Sequence, residues 1–214
     1  MKNKIIVTII ALIPLVYFAV AYPSFPDQVV IHWNIHGQAD RYGSPFFYLI
    51  LAKIPIITLI IYALYIKLKP GSQNKKYLAQ LIDGLVVFLA FISILFTSQA
   101  TSEQLEFLNI LVIIFGVLFV YIGNMMNKLK KNLVFGIRIP ATIRSEKVWN
   151  RTHYIGGYGF AICGVLTIIS GIVFTEPQIS LGVMITILLI LVIVIGVYAE
   201  VLYRRETGHS SISK

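Results

Sequence analysis

Disulfide bonding is excluded from this chain: its 214 residues include a single cysteine, Cys163, and one thiol cannot close an intrachain bridge. Negative charge is scarce too, with nine acidic residues against 18 Lys and Arg and a formal charge of +9. Charged residues of both signs make up only 13% of the chain, well below the share a soluble domain carries. Signatures of catalysis are missing. There is no His-Glu-x-x-His, no Gly-x-Ser-x-Gly, no phosphate loop and no dinucleotide fingerprint. No pair of intramembrane carboxylates suggests a protease dyad. No catalytic residue and no cofactor are expected, and the chain reads as a non-enzyme. It also lacks low-complexity segments and any strong internal repeat.

Long apolar runs are what it has. Hydrophobic residues form 57% of the sequence and the mean hydropathy is +0.83. Crossing the hydrocarbon core takes about 20 apolar residues as a helix. Six runs qualify: Ile5–Tyr22, Phe46–Leu68, Tyr77–Phe96, Phe107–Met126, Tyr154–Phe174 and Ile179–Tyr203. The expected fold is an all-α membrane protein with six transmembrane helices. The expected division is an N-terminal two-helix membrane domain over 1–68, a four-helix membrane core over 77–203 and a cytoplasmic tail over 204–214.

Positive charge orients these spans. Lys2 and Lys4 precede the first. Lys67, Lys69, Lys75 and Lys76 lie between the second and third. Lys128, Lys130, Lys131, Arg138, Arg144, Lys147 and Arg151 lie between the fourth and fifth, and Arg204, Arg205 and Lys214 follow the sixth. That is sixteen of the 18. On the other side only Arg41 remains, with Lys53 inside the second span. The positive-inside rule then puts both termini in the cytoplasm. The basic balance is a topology signal that attracts anionic lipid, and is no argument for direct nucleic-acid binding. The first span is expected to be retained: it is long for a signal peptide, and Ala19–Ala21 runs into Tyr22-Pro23 without a good cleavage site.

Two connections are long enough to carry binding. The outer one runs from Pro23 to Pro45. Pro23 and Pro26 end the first helix, Val29–Asn34 is β-prone, and Gly37 and Gly43 are turn positions. A short strand or hairpin on the outer membrane surface is expected, with Phe25, Trp33, Tyr42 and Phe46 suited to an aromatic interfacial belt. His32, Trp33, Asn34, Gly37 and Asp40 are its candidate recognition residues, built around Trp33. His32, His36 and Asp40 are spaced four apart, but Gly37 interrupts any helix that would make them converge on a metal. The plainer expectation is that they fix a loop, with Asp40 closing a turn and no metal bound.

The inner connection runs from Asn127 to His153. Gly136 and Pro140 are expected to break any helix there. Ser145 followed by Glu146 reads as an N-cap with a negative first turn, opening a helix through Trp149 and His153 into the fifth span. Seven positive residues face one acid, Glu146. Arg138, Pro140, Arg144, Lys147, Trp149 and His153 form the candidate surface for a cytoplasmic partner. Within the spans, Lys53, Asp83 and Glu200 are the ionisable residues. Lys53 lies about 10 Å in from the outer side at 1.5 Å per residue. It precedes Pro55, which frees a carbonyl near Leu51. Glu200 and Arg204 are spaced as an i,i+4 pair. Gly157, Gly164 and Gly171 recur every seven residues on one face, inviting close approach by another span or another copy of the chain.

These two connections resemble those of the SdpI family of bacterial immunity proteins. Pro26…His32-Trp33-Asn34…Gly37…Asp40 is similar to a small membrane domain of unknown function often found ahead of that family's core. Asn124…Asn132…Phe135-Gly136-Ile137-Arg138-Ile139-Pro140…Ser145-Glu146-Lys147-Val148-Trp149…Thr152-His153…Gly156-Gly157 resembles the family signature of Gly-x-Arg-x-Pro, Ser-x-x-x-Trp, Thr-His and a glycine pair. The chain departs at Ile139-Pro140-Ala141, where members usually carry Thr before and Trp after the proline. The resemblance implies a multi-pass protein of the bacterial cell membrane with two activities. Outside, it neutralises a secreted toxin peptide, the sporulation-delaying killing factor. Inside, the engaged protein sequesters a cytoplasmic transcriptional repressor. Two rivals stand beside this reading. A small transporter or exporter of a peptide or lipid needs Lys53 or Asp83 to face a wet cavity, and a membrane enzyme needs a metal on His32, His36 and Asp40.

Overall fold

The computed structural model describes residues 2–68, 74–104, 107–132 and 134–210. Expectations placed on Lys69, Pro70, Gly71, Glu106 and Lys214 lie outside the described residues. Seven α-helices follow in chain order, with one hairpin: α1 (Lys2–Ala21), β1 (Val29–Trp33), β2 (Ala39–Gly43), α2 (Phe46–Leu68), α3 (Lys75–Ser98), α4 (Leu108–Met126), α5 (Pro140–Arg144), α6 (Glu146–Val173) and α7 (Pro177–Ser210). Six of these helices are long and apolar enough to cross a membrane, as the hydropathy runs predict. Large apolar side chains such as Val20, Ile50, Ile61, Ile172 and Ile193 are exposed along them, the pattern of helices whose outer faces meet lipid.

The chain divides into two compact units. One comprises Met1–Lys75 and Ala79–Leu108, the other Lys76–Leu78 and Asn109–Lys214. Most of α3 thus belongs with α1 and α2, where the sequence places it in the later core. The reason is visible in α2. Pro55 cannot donate to the Leu51 carbonyl one turn back, and the Ser93 hydroxyl of α3 lies 2.9 Å from that oxygen. It lies 2.8 Å from Leu89 O of its own helix, so its single proton is shared between the two. Near this end Phe18, Val29, Tyr48, Ala52 and Ala100 form a buried cluster edged by Phe25, Ile31 and Phe96. The Tyr48 hydroxyl donates to the Val30 carbonyl, fixing β1 to α2.

In the second unit the glycine stripe of α6 meets a second one on α4. A Cβ on Gly164 would sit 2.5 Å from Gly116 O, and one on Gly157 2.8 Å from Gly123 O. The two backbones are therefore in contact, and the partner of the stripe is a span of the same chain. Val112, Phe119, Cys163 and Met184 bury together between α4, α6 and α7. Ala141, Val148 and Ala199 bury together where α5 meets α6 and α7. α7 has 34 residues, about 51 Å at 1.5 Å each, far more than a bilayer core requires. Residues 204–210, expected in the tail, continue this helix. Arg204, Arg205 and Glu206 end the apolar run but are good helix formers, so the hydropathy boundary and the helix boundary differ.

Candidate functional site

Two constructions carry the residues singled out by the sequence. The first is the hairpin. β1 and β2 pair antiparallel, with Val29 opposite Gly43, Val30 opposite Tyr42, His32 opposite Arg41 and Trp33 opposite Ala39. Gly43 therefore ends a strand, and Gly37 alone serves the turn. Gly37 has φ +75°, a conformation glycine adopts without steric cost. Asn34 organises that turn: its side-chain oxygen accepts from the backbone N–H of His36 at 2.9 Å and of Gln38 at 3.1 Å, an Asx-type closure. Asp40 does not close a turn. It sits on β2 and meets His32 Nδ1 at 2.5 Å across the hairpin. Among the described residues no group of three His, Cys, Asp or Glu is placed to share a metal ion.

Trp33 is buried and does not join an interfacial belt. Its ring lies 6.0 Å from that of Phe96 and its indole N–H donates to Ser102 O at 3.0 Å. The segment after α3, which reads as a minimal loop, is the hairpin's support. Val30 N–H donates to Ala100 O at 2.8 Å and Ala39 N–H to Glu103 O at 2.9 Å. Gln104 Nε2 donates to His36 O at 3.0 Å. The Tyr42 hydroxyl donates to Glu103 at 2.6 Å, and that bond holds the phenol above its usual ionisation range. What the hairpin shows outward is His32, Ile35, His36, Gln38, Asp40, Arg41 and Tyr42.

The second construction is a clasp around Gly136. Asn132 Oδ1 accepts from the N–H groups of Val134 and Phe135, both at 2.8 Å. Gly136 follows with φ +112°, and a Cβ there would overlap the His153 ring. Pro140 opens α5 rather than breaking a helix; at the first helical position its missing N–H costs nothing. The buried Thr142 hydroxyl closes the segment, accepting from Ile139 N–H at 3.1 Å and lying 2.7 Å from Ile137 O. Ser145 caps α6 through Val148 N–H at 3.2 Å, as the sequence predicts. Its hydroxyl donates to Glu206 at 2.6 Å, a contact hidden from the sequence because Glu206 lies beyond the expected end of α7.

Trp149 and His153 hold this clasp from inside. They are 0% and 1% exposed and their rings stack at 3.9 Å. Trp149 Nε1 donates to Leu129 O at 2.8 Å. His153 Nε2 accepts from Ile137 N–H at 2.9 Å, and its Nδ1 lies 2.9 Å from Trp149 O. One neutral tautomer, with the proton on Nδ1, satisfies both bonds. Neither ring is available to a partner in this arrangement. Arg138, Pro140, Arg144, Lys147 and Arg151 are exposed around it, so the clasp displays cations and buries its aromatics. Of the intramembrane polar residues, Lys53 is exposed on α2, Asp83 lines a cavity, and Glu200 pairs with Arg204 at 2.8 Å.

Residues 128–199 match the model of the SdpI/YfhL protein family. Over that segment the chain is similar to the SdpI family. The matched segment contains the clasp from Leu129 to His153, without Glu206, together with α5, α6 and the greater part of α7. Residues 9–59 match a domain of unknown function, DUF1648, which contains the entire hairpin. Immunity protein SdpI of Bacillus subtilis (strain 168) is 24% identical over 195 residues, covering 90% of this chain and 92% of that protein. No solved structure matches.

Proposed function

We propose that this multi-pass membrane protein is a non-enzymatic immunity protein of the bacterial cell membrane. It neutralises a secreted, membrane-active peptide at its hairpin and signals through its basic clasp. The observation that carries the reading is the likeness to an immunity protein along 90% of the chain. By the positive-inside rule the hairpin would face outward and the clasp the cytoplasm. Ile35, His36 and Tyr42, exposed over a rigid base, would meet the peptide. Trp33 and Asn34 would position them. On the other side Arg138, Arg144 and Lys147 would meet an acidic face of a transcriptional repressor, with Trp149 and His153 holding their backbone in place. Toxin engagement must favour one arrangement of the helices over another for the signal to pass.

The test is protection of a sensitive strain that lacks its own immunity. Ile35→Ala with His36→Ala, at normal membrane abundance, is expected to lower survival under toxin challenge. Full protection by that variant would remove the hairpin from the mechanism. Arg144→Glu with Lys147→Glu is expected to spare protection and abolish induction of a reporter of the repressor. Survival that collapses with the ion gradients while hairpin variants stay active would instead favour the exporter reading.

A further inference from the structure

We propose that the cleft among α1, α2 and α3 at the Lys4 end binds the headgroup of a phospholipid carrying a primary ammonium, of the phosphatidylethanolamine class. The cavity measures about 320 Å³ and is lined by Lys4, Thr8, Leu59, Tyr62, Ile66 and Asp83 among others. At about 30 Å³ per water it has room for a headgroup rather than a lone ion. Two opposite charges face this space without closing on each other. Lys4 and Asp83 interact electrostatically yet form no salt bridge, and among the described residues neither side chain has a hydrogen-bond partner. A half-buried carboxylate two turns into a membrane helix requires a donor. A dipolar headgroup supplies both complements, an ammonium for Asp83 and a phosphate for Lys4. The Thr8 hydroxyl donates to Lys4 O at 2.9 Å, so toward the cavity it offers an acceptor. Leu59 and Ile66 provide an apolar wall for the start of an acyl chain.

Headgroup chemistry makes the site selective. Asp83 accepts hydrogen bonds from a primary ammonium, which a choline group cannot donate. It repels the purely anionic phosphatidylglycerol that Lys4 alone would otherwise attract. The site is independent of the immunity reading, since it uses no residue of the hairpin or the clasp.

The experiment is native mass spectrometry of the full chain, delipidated in detergent and offered equimolar phosphatidylethanolamine, phosphatidylcholine and phosphatidylglycerol. At least fivefold preferential retention of phosphatidylethanolamine is expected. Asp83→Asn should abolish the preference, Lys4→Gln should weaken retention of that lipid, and Ala63→Leu, at the cavity wall, should lower its occupancy. Soluble phosphoethanolamine should displace the lipid only in large excess. Equal retention of the three lipids, a preference for phosphatidylglycerol, or an unchanged preference in both Asp83→Asn and Lys4→Gln would overturn the proposal. So would displacement by soluble phosphoethanolamine at lipid-like concentrations, which would assign the cleft to a free phosphoamine.

Discussion

Replacing Trp149 by Phe tests whether the clasp depends on one buried indole. The substitution keeps an aromatic ring stacked on His153 and removes the N–H that donates to Leu129 O at 2.8 Å. That leaves a buried carbonyl without its partner, which costs about 1–3 kcal/mol. The smaller ring adds a void in a site where Trp149 is 0% exposed. A loss of about 2 kcal/mol is the working figure, and at 1.4 kcal/mol per decade it raises the open population roughly 30-fold. Trypsin reports that opening through Lys128, Lys130 and Lys131 on the segment that the indole ties down. Where opening and closing outpace cleavage, the cutting rate follows the open population. Cleavage of Trp149→Phe at this segment should therefore accelerate roughly 30-fold in native conditions. His153→Ala should act similarly by freeing Ile137 N–H, and the double variant should fall short of the sum because both lesions open one structure. Cleavage within twofold of the parent in both single variants would refute the clasp as the determinant of this segment.

Other expectations concern the packing that positions the two sites. Gly164→Val forces side-chain atoms against Gly116 O and Val120 N and should destabilise the second unit by about 1–3 kcal/mol or more; thermal exposure of the buried Cys163 thiol to a reactive dye measures it. Gly182→Ala, with nothing within 4 Å of the new methyl, should leave that transition unchanged or slightly raised. Ser145→Ala removes the α6 cap and the bond to Glu206, a loss of about 1 kcal/mol for the cap alone, read as faster tryptic cleavage after Arg144. Ser93→Ala should cost about 0.6–1.7 kcal/mol, the range of interhelical hydrogen bonds in membranes, and less if the shared proton favours Leu89 O; the same thiol assay on a single-cysteine version with the reporter in α3 checks it.

Much of this architecture is legible in the sequence because hydropathy reads membrane span directly. The six helices, the Ser145 cap, the Glu200–Arg204 pair and the carbonyl freed by Pro55 follow from local rules. The hairpin follows from β-prone residues ahead of a glycine turn. What local rules miss is long-range closure. Trp33 and Trp149 look like surface anchors because membrane tryptophans favour interfaces, yet each finds a backbone carbonyl from a distant segment, Ser102 and Leu129. The segment from Ala100 to Gln104 carries no motif that announces its role under the hairpin. Pro140 reads in the sequence as a helix breaker, yet it opens α5 with the Thr142 hydroxyl closing the segment beneath it. Gly116 and Gly123 on α4 share the seven-residue spacing of the α6 stripe, so that pairing was open to the sequence.

Both proposed roles require the hairpin to lie outside the cell and the clasp within it. Impermeant thiol labelling in intact cells tests this directly, with Cys163 replaced by Ala and one cysteine introduced as His36→Cys or Arg144→Cys. The thiol at position 36 should react from outside, and the thiol at 144 only after the membrane is permeabilised. Labelling at 144 in intact cells, with 36 protected, would contradict it.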